Sequence, residues 1–325
     1  MKYTNTHDLP KAVVEALIGD DFDLSKVPAN IFWATRLINS PKIAQLEVRH
    51  WGEIEADVSE KFSRVLGSAL HEYLQAKSND ANRLSEEKAY IDTTSWAVRT
   101  LPLNGTLKTQ PWYDADVIYV SCRLDSYEEV EGRGIVDDYK TGKVWTAIDG
   151  VPKPDWVTQN NIYAYCLRKI GFKVDEIRNT YFITDWAKTK VATDHRYPKI
   201  PIVLFSNQPI WPDNQVVAYL ESRIKAHVAA MSLDDDQIPE CTCVERWTKP
   251  TVYAVMKVGR KTSIKNYYGE DEKGLAENYA ASLGTNHYVE KRPGSNPRCE
   301  SYCALTRWCH FYKANVGASS QGAEE

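Results

Sequence analysis

Two short stretches concentrate the reactive chemistry of the chain: Arg123-Leu124-Asp125, and Val136-Asp137-Asp138-Tyr139-Lys140-Thr141-Gly142. Side chains alternate across a β-strand, so if both stretches are neighbouring strands, Asp125 and Asp138 can point to one face. Lys140 follows Asp138 by two residues and must share its face, whereas Asp137 points to the other. Two carboxylates and an ammonium then converge. Carboxylate oxygens suit Mg²⁺ or Mn²⁺. Such an ion polarises a phosphate and lowers the pKa of bound water, and a nearby lysine can orient the nucleophile or stabilise charge building on the phosphate. That is the inventory of phosphodiester hydrolysis. The plainer reading is a solvated, charge-rich turn, since Asp-x-Lys is a common tripeptide, and a one-residue register slip would exchange Asp138 for Asp137.

The flanking sequence must supply elements to hold these groups. From about Glu53 to Gln75, Val58, Phe62, Leu66, Leu70 and Tyr73 recur at helical spacing, which predicts a long amphipathic helix. Gly67 lies one turn before His71 on the same side and leaves space beside the imidazole. After a polar break around 78–87 come three β-rich runs, 88–100, 116–127 and 133–142, separated by Asn-Gly, Pro-Trp and Glu-Gly turn material; they predict an antiparallel meander. A helix follows over 155–170, closed by Gly171, then strands within 174–186 and 191–206, and a last core helix from Pro212 to Met231. Helix, strands, helix, strands is an α/β layer arrangement around one central sheet. The acidic run 233–240 marks a boundary, and beyond it a hairpin turning at Gly259 and a helix over 272–284 are expected. The expected division is a helical segment 1–52, a core 53–232, a cysteine-rich lobe 233–315, and a tail 316–325 of disordered composition.

The seven cysteines fall unevenly. Cys122 and Cys166 stand alone and read as small core hydrophobes. Cys299, Cys303 and Cys309 place three thiols within eleven residues, close enough for one metal centre that needs a fourth ligand. Cys241 is the first candidate, Cys243 the second and His310 a distant third. Tetrahedral thiolate coordination suits an iron-sulfur cluster and structural Zn²⁺ alike.

Beyond these local readings, Gly67-Ser68-Ala69-Leu70-His71-Glu72, Arg123-Leu124-Asp125, Asp138-Tyr139-Lys140-Thr141-Gly142, and Gln159 with Tyr163 resemble, in order and spacing, the four motifs of RecB-like nucleases of the PD-(D/E)XK superfamily. The resemblance runs from about Thr35 to Cys309. That family includes the nuclease domains of bacterial recombination helicases and the CRISPR-associated adaptation nucleases, with stand-alone relatives in phages. The resemblance implies a restriction-endonuclease-like core, a central mixed sheet flanked by helices, with a C-terminal cysteine-rich lobe. It implies His71, Asp125, Asp138 and the main-chain carbonyl of Tyr139 as ligands of Mg²⁺ or Mn²⁺. Lys140 would be the catalytic lysine, and Gln159 and Tyr163 would sit on the helix behind the site, touching the lysine or the DNA strand. The cysteine triplet resembles that of relatives carrying a [4Fe-4S] cluster, although here three residues rather than two separate its first two cysteines.

With 43% hydrophobic and 26% charged residues in 325, the composition is that of a soluble protein, and the N-terminus lacks the layout of a secretory signal. A cytoplasmic setting, in a bacterial or phage-infected cell, is the expectation. The formal net charge of −4 argues against general coating of nucleic acid, so contacts must come from local features. The hairpin basic residues Lys257, Arg260 and Lys261 are candidates for DNA contact, or equally a solubilising edge. The partner expected is DNA that is single-stranded or has free ends, with a recombination or helicase protein as a further partner and no membrane. Two rival readings remain: a non-catalytic DNA-binding or assembly subunit that keeps the fold, and a zinc-stabilised interaction protein.

Overall fold

The computed structural model describes residues 1–19, 24–77, 83–101 and 107–316. The Asn104-Gly105 turn, the centre of the polar break and the tail from 317 onward lie outside them. The chain divides into two compact units, residues 1–39 with 48–231 and residues 40–47 with 232–325. The N-terminal stretch expected as one segment is therefore shared between the two. Among the described residues no helix is long and apolar enough to cross a membrane.

The first unit contains β1 (Lys2–Thr4), α1 (Lys11–Ile18), β2 (Ile31–Trp33) and α2 (Ala34–Ile38), after which α3 (Pro41–Arg49) carries the chain through residues 40–47. There follow β3 (Glu55–Asp57), α4 (Phe62–Ala76), β4 (Arg83–Asp92), β5 (Val98–Thr100), β6 (Tyr119–Val130), β7 (Arg133–Gly142), α5 (Val144–Asp149) and α6 (Pro154–Lys169). The unit ends with β8 (Glu176–Ile183), α7 (Lys188–Val191), β9 (Ile202–Phe205) and α8 (Asp213–Met231). A mixed seven-stranded sheet runs β5-β4-β6-β7-β8-β9, with β2 added in parallel against β6, and helices flank it. The meander expected at 88–142 is present as the antiparallel run β4-β6-β7. Strands β7 and β8 are parallel, so the chain must cross over between them, and α5 and α6 make the crossing.

Strand β6 is where the sheet opens. Strand β4 covers one of its edges from Tyr119 to Glu128. On the other edge β7 pairs only from Val130 back to Ser126, and β2 pairs only from Tyr119 to Ser121. Residues 122–125 lie between the two partners, in a gap left in the ladder.

Helix α6 starts with Pro at its first turn and Asp155, and ends with Arg168 and Lys169, charges placed favourably for the helix dipole. Every residue from Gln159 to Leu167 is buried, so this helix passes through the core rather than lying on it.

The amphipathic segment expected as one helix from Glu53 begins at Phe62 instead. Strand β3 pairs in parallel with β1, and the Asp57 carboxylate accepts hydrogen bonds from the main-chain N–H of Ser59 (3.0 Å) and Thr6 (2.8 Å). This nonlocal tie and cap override the helical periodicity of residues 53–61. Of the expected apolar stripe, Val58 is buried, whereas Phe62, Leu66 and Tyr73 face solvent. Likewise only Ile202–Phe205 of the run 191–206 is strand, and α7 covers residues 188–191.

The second unit holds β10 (Val252–Lys257), β11 (Lys265–Tyr268), α9 (Lys273–Ser282), β12 (His287–Arg292) and α10 (His310–Asn315). The expected hairpin and helix are both present, and β12 completes an antiparallel sheet ordered β11-β10-β12. Tyr253, Val255, Tyr267, Ala276 and Ala280 form its core. Gly259, at a φ of 81°, occupies the left-handed region at the hairpin turn.

Candidate functional site

The gap beside β6 is where the sequence-predicted residues meet. Strand alternation alone puts Asp138 and Lys140 on one face of β7, and the ammonium lies 2.6 Å from Asp138 Oδ2. Asp137 points to the opposite face, where Arg178 pairs with it at 2.7 Å and Thr180 donates to it. The register alternative is thereby decided in favour of Asp138. Burial pushes the Asp137 carboxyl upward, with Arg178 and Thr180 pulling the other way.

Asp125 stands where the β6–β7 ladder has ended. Its Oδ2 accepts the Tyr139 main-chain N–H at 2.9 Å, so a side chain replaces the missing ladder bond. Asp125 and Asp138 are thus held on either side of the Tyr139 peptide. His71 approaches from α4, with Nδ1 3.6 Å from Asp125 Oδ2 and Nε2 3.2 Å from the Tyr139 carbonyl oxygen. A Cβ at Gly67 would meet Thr141 Oγ1 at 3.4 Å, an ordinary contact distance, so α4 lies against the end of β7 at this point. Gly67 and His71 also line one cleft, so space is left beside the imidazole as the spacing predicts.

Gln159 clamps the lysine and the aspartate together. Its Oε1 accepts from Lys140 Nζ at 3.2 Å, and its Nε2 donates to Asp138 Oδ1 at 2.9 Å and to the Tyr163 hydroxyl at 2.7 Å. Gln159 and Tyr163 are one helical turn apart on α6, which explains why both reach one place. Burial, with Asp138 and Asp125 nearby, keeps Tyr163 a neutral phenol.

The motif residues were legible in the sequence, but Asn179 was not. It stands beside Asp138 in the parallel β7–β8 register and donates from Nδ2 to Asp138 Oδ2 (2.7 Å) and to the Asp138 carbonyl (3.2 Å). Its Oδ1 accepts from Gln208 (2.7 Å) and Asn160 (3.3 Å). No local spacing links position 179 to 138. The one available hint was an asparagine inside a strand otherwise rich in β-branched and aromatic residues.

Asp138 is fully buried and its pKa is pushed up to about 7. Burial is the main cause; Lys140 opposes it, Asp125 adds to it, and His71 opposes it more weakly. Lys140 pairs with Asp138, while Asp125 has His71 beside it and adds to the upward shift of Asp138. Hard oxygen donors from Asp125, Asp138 and the Tyr139 carbonyl, with an imidazole beside them, match what Mg²⁺ or Mn²⁺ requires. Among the described residues, no group of three or more His, Cys, Asp or Glu already stands at the spacing that would grip an ion. The site opens into a cleft of about 370 Å³ lined by Trp33, Ser68, His71, Ser121, Arg123 and Asp125 among others.

In the second unit the thiols of Cys241, Cys299, Cys303 and Cys309 feel one another's charge. Burial raises the Cys299 thiol to about 11, and Cys303, Cys241 and Cys309 add to the shift. Burial also raises Cys241, against a hydrogen bond to Ser40, and Cys303, with Cys309 contributing to both. Cys241 is half-buried and is among the cysteines that raise the Cys299 thiol, whereas Cys243 is exposed. Cys122 and Cys166 are buried beside each other in the first unit. Lys257, Arg260 and Lys261 are exposed on the β10–β11 turn of the second unit.

No family model and no curated protein matches the chain. It is similar to the crystal structure of SSO0001, with a TM-score of 0.42 and 17% identity over 66% of this chain and 84% of that one.

Proposed function

We propose that this chain is a Mg²⁺- or Mn²⁺-dependent deoxyribonuclease of the RecB-like branch of the PD-(D/E)XK superfamily. We further propose that it acts as an exonuclease on single-stranded or end-processed DNA in recombination, repair or phage DNA metabolism. The observation that carries the reading is the convergence of Asp125, Asp138, the Tyr139 carbonyl, His71 and Lys140 at the gap beside β6, where Asp125 and His71 line an open cleft and Asp138 lies buried behind them. Asp125, Asp138, His71 and the Tyr139 carbonyl would hold the ion, which supplies polarisation of the phosphate and a more acidic bound water.

The protein's own groups prepare that chemistry. Asn179 and Gln159 fix the Asp138 carboxylate from two sides, so that its oxygens are oriented without rearrangement. Gln159 also fixes the Lys140 ammonium, a positive charge that can balance the developing charge on a phosphate. The Tyr139 N–H anchors Asp125, and His71 bridges Asp125 and the Tyr139 carbonyl.

In the second unit Cys241, Cys299, Cys303 and Cys309 would hold a [4Fe-4S] cluster, with Zn²⁺ the alternative occupant. Burial raises the Cys241, Cys299 and Cys303 thiols, with a neighbouring cysteine adding to each shift, and a bound cation would convert such thiols to thiolates, which supports a centre here.

Purified full-length protein is to be incubated with end-labelled single strands, blunt duplex and closed circles in Mg²⁺ and in Mn²⁺. Cleavage of linear single strands is expected, and Asp138→Asn should abolish it. The asparagine keeps the size of the side chain but turns its amide N–H toward donors that the carboxylate had accepted from, so its unfolding midpoint should fall, and circular dichroism at the assay temperature checks that the variant is folded. Wild-type protein that binds DNA without cutting it would leave the assembly-subunit reading, and undiminished cleavage by Asp138→Asn would remove the site assignment.

A further inference from the structure

The cleft beside Asp125 has walls whose chemistry the nuclease reading does not use. Parallel pairing of β2 with β6 sets Trp33 alongside Ser121, and Ser121, Arg123 and Asp125 line the cleft at two-residue steps along β6. At a rise of about 3.3–3.4 Å per residue, successive side chains on that face are about 7 Å apart. An indole, a guanidinium and a carboxylate therefore stand in a row at intervals comparable with the phosphate repeat of an extended single strand. Trp33 is half-buried, and the Arg36 guanidinium lies over its ring at 5.7 Å, which holds the indole in place.

The facing wall is one side of α4, with Gly67, Ser68, His71, Glu72 and Gln75. Apart from Asp125, His71 and the buried phenol of Tyr163, the ionisable groups lining the cleft are Arg123 and Glu72, both exposed. The volume of about 370 Å³ is near the low end of pockets that hold one small ligand. It suits a single nucleotide and is too small for a base pair.

Resting on the nuclease reading, we propose that this cleft is a subsite for one unpaired nucleotide next to the scissile bond. Arg123 takes the neighbouring phosphate and Trp33 stacks on the base. Arg123 is a substrate-positioning residue, and the subsite selects unpaired DNA because a paired base cannot enter. The row of side chains also sets direction: the strand runs from Asp125 past Arg123 to Trp33.

The test is fluorescence anisotropy with a 5′-labelled oligo(dT) twelve-mer in Ca²⁺ over a range of salt, with parallel cleavage assays in Mn²⁺. Arg123→Gln should weaken binding about tenfold at low salt and make the log–log salt slope shallower by roughly 0.7, the loss of one phosphate contact on a single strand. Arg123→Lys should restore the slope. Trp33→Leu should lower affinity about tenfold with an unchanged slope, since stacking carries no charge. All three variants are compared with wild type by thermal unfolding, so that misfolding is read separately. If wild type cleaves while Arg123→Gln and Arg123→Lys both match its affinity and slope, the subsite is refuted and the nuclease reading stands. Equal losses by Arg123→Gln on oligo(dT) and on blunt duplex would overturn the selection for unpaired DNA. Wild-type protein that neither binds nor cleaves would overturn both.

Discussion

Asn179→Ala tests whether the buried network behind Asp138 is part of the site or only packing. The side chain is fully buried and donates to Asp138 at 2.7 Å and 3.2 Å. Removing it takes a charge-assisted hydrogen bond from the carboxylate, worth about 1.5–3 kcal/mol, and leaves a small cavity. Gln208 keeps its bond to the Phe205 carbonyl (2.8 Å) and Asn160 its bond to the Arg178 carbonyl (3.1 Å), so neither amide is stranded. The total expected loss is about 2–4 kcal/mol, which for a unit of this size lowers the unfolding midpoint by roughly 5–15 °C. Asp138 also loses one of the two amides that orient it, so half-activation of cleavage should require several-fold more Mn²⁺. Thermal unfolding by circular dichroism and a Mn²⁺ titration of oligonucleotide cleavage measure the two effects. A midpoint within about 2 °C of wild type, together with an unchanged Mn²⁺ requirement, would refute the reasoning.

Two further outcomes follow from groups away from the cleft. His227 is buried with Nε2 facing the Leu37 and Asn39 carbonyls at 3.3 Å and 3.2 Å, and Nδ1 has no hydrogen-bond partner among the described residues, so the neutral ring donates from Nε2. Burial lowers its pKa to about 4 from 6.5, and Arg223 adds to the shift. The unfolded chain then takes up the proton first, and about 3 kcal/mol of stability, fully present above pH 6.5, is lost as pH falls toward 4. Urea denaturation between pH 7.5 and 4 should show this limb in wild type and a flatter one in His227→Gln, and identical limbs would count against it. In the second unit, Cys303→Ser should reduce the iron and sulfide content of anaerobically purified protein, or its zinc content, and lower the unfolding midpoint, because bound metal contributes folding free energy. Full metal content and an unchanged midpoint in this variant would remove Cys303 from the centre.

The sequence by itself determined what rests on local geometry. Strand alternation put Asp138 and Lys140 on one face and Asp137 on the other, and helical spacing put Gln159 and Tyr163 one turn apart. The closeness of Cys299, Cys303 and Cys309 was visible in their numbering. Only the tertiary structure decided what depends on pairing between distant segments. Asn179 meets Asp138 through a parallel register that a crossover of about thirty residues brings about, and no periodicity within either strand encodes it. Helix α4 begins at Phe62 because β1 captures the residues before it, a contact about fifty positions away that outweighs local helical preference. The gap beside Asp125 exists because β2 and β7 share one edge of β6 without meeting. That vacancy in the ladder is a property of three strands at once, which is why the motif residues could be read from the chain while the cleft beside Asp125 could not.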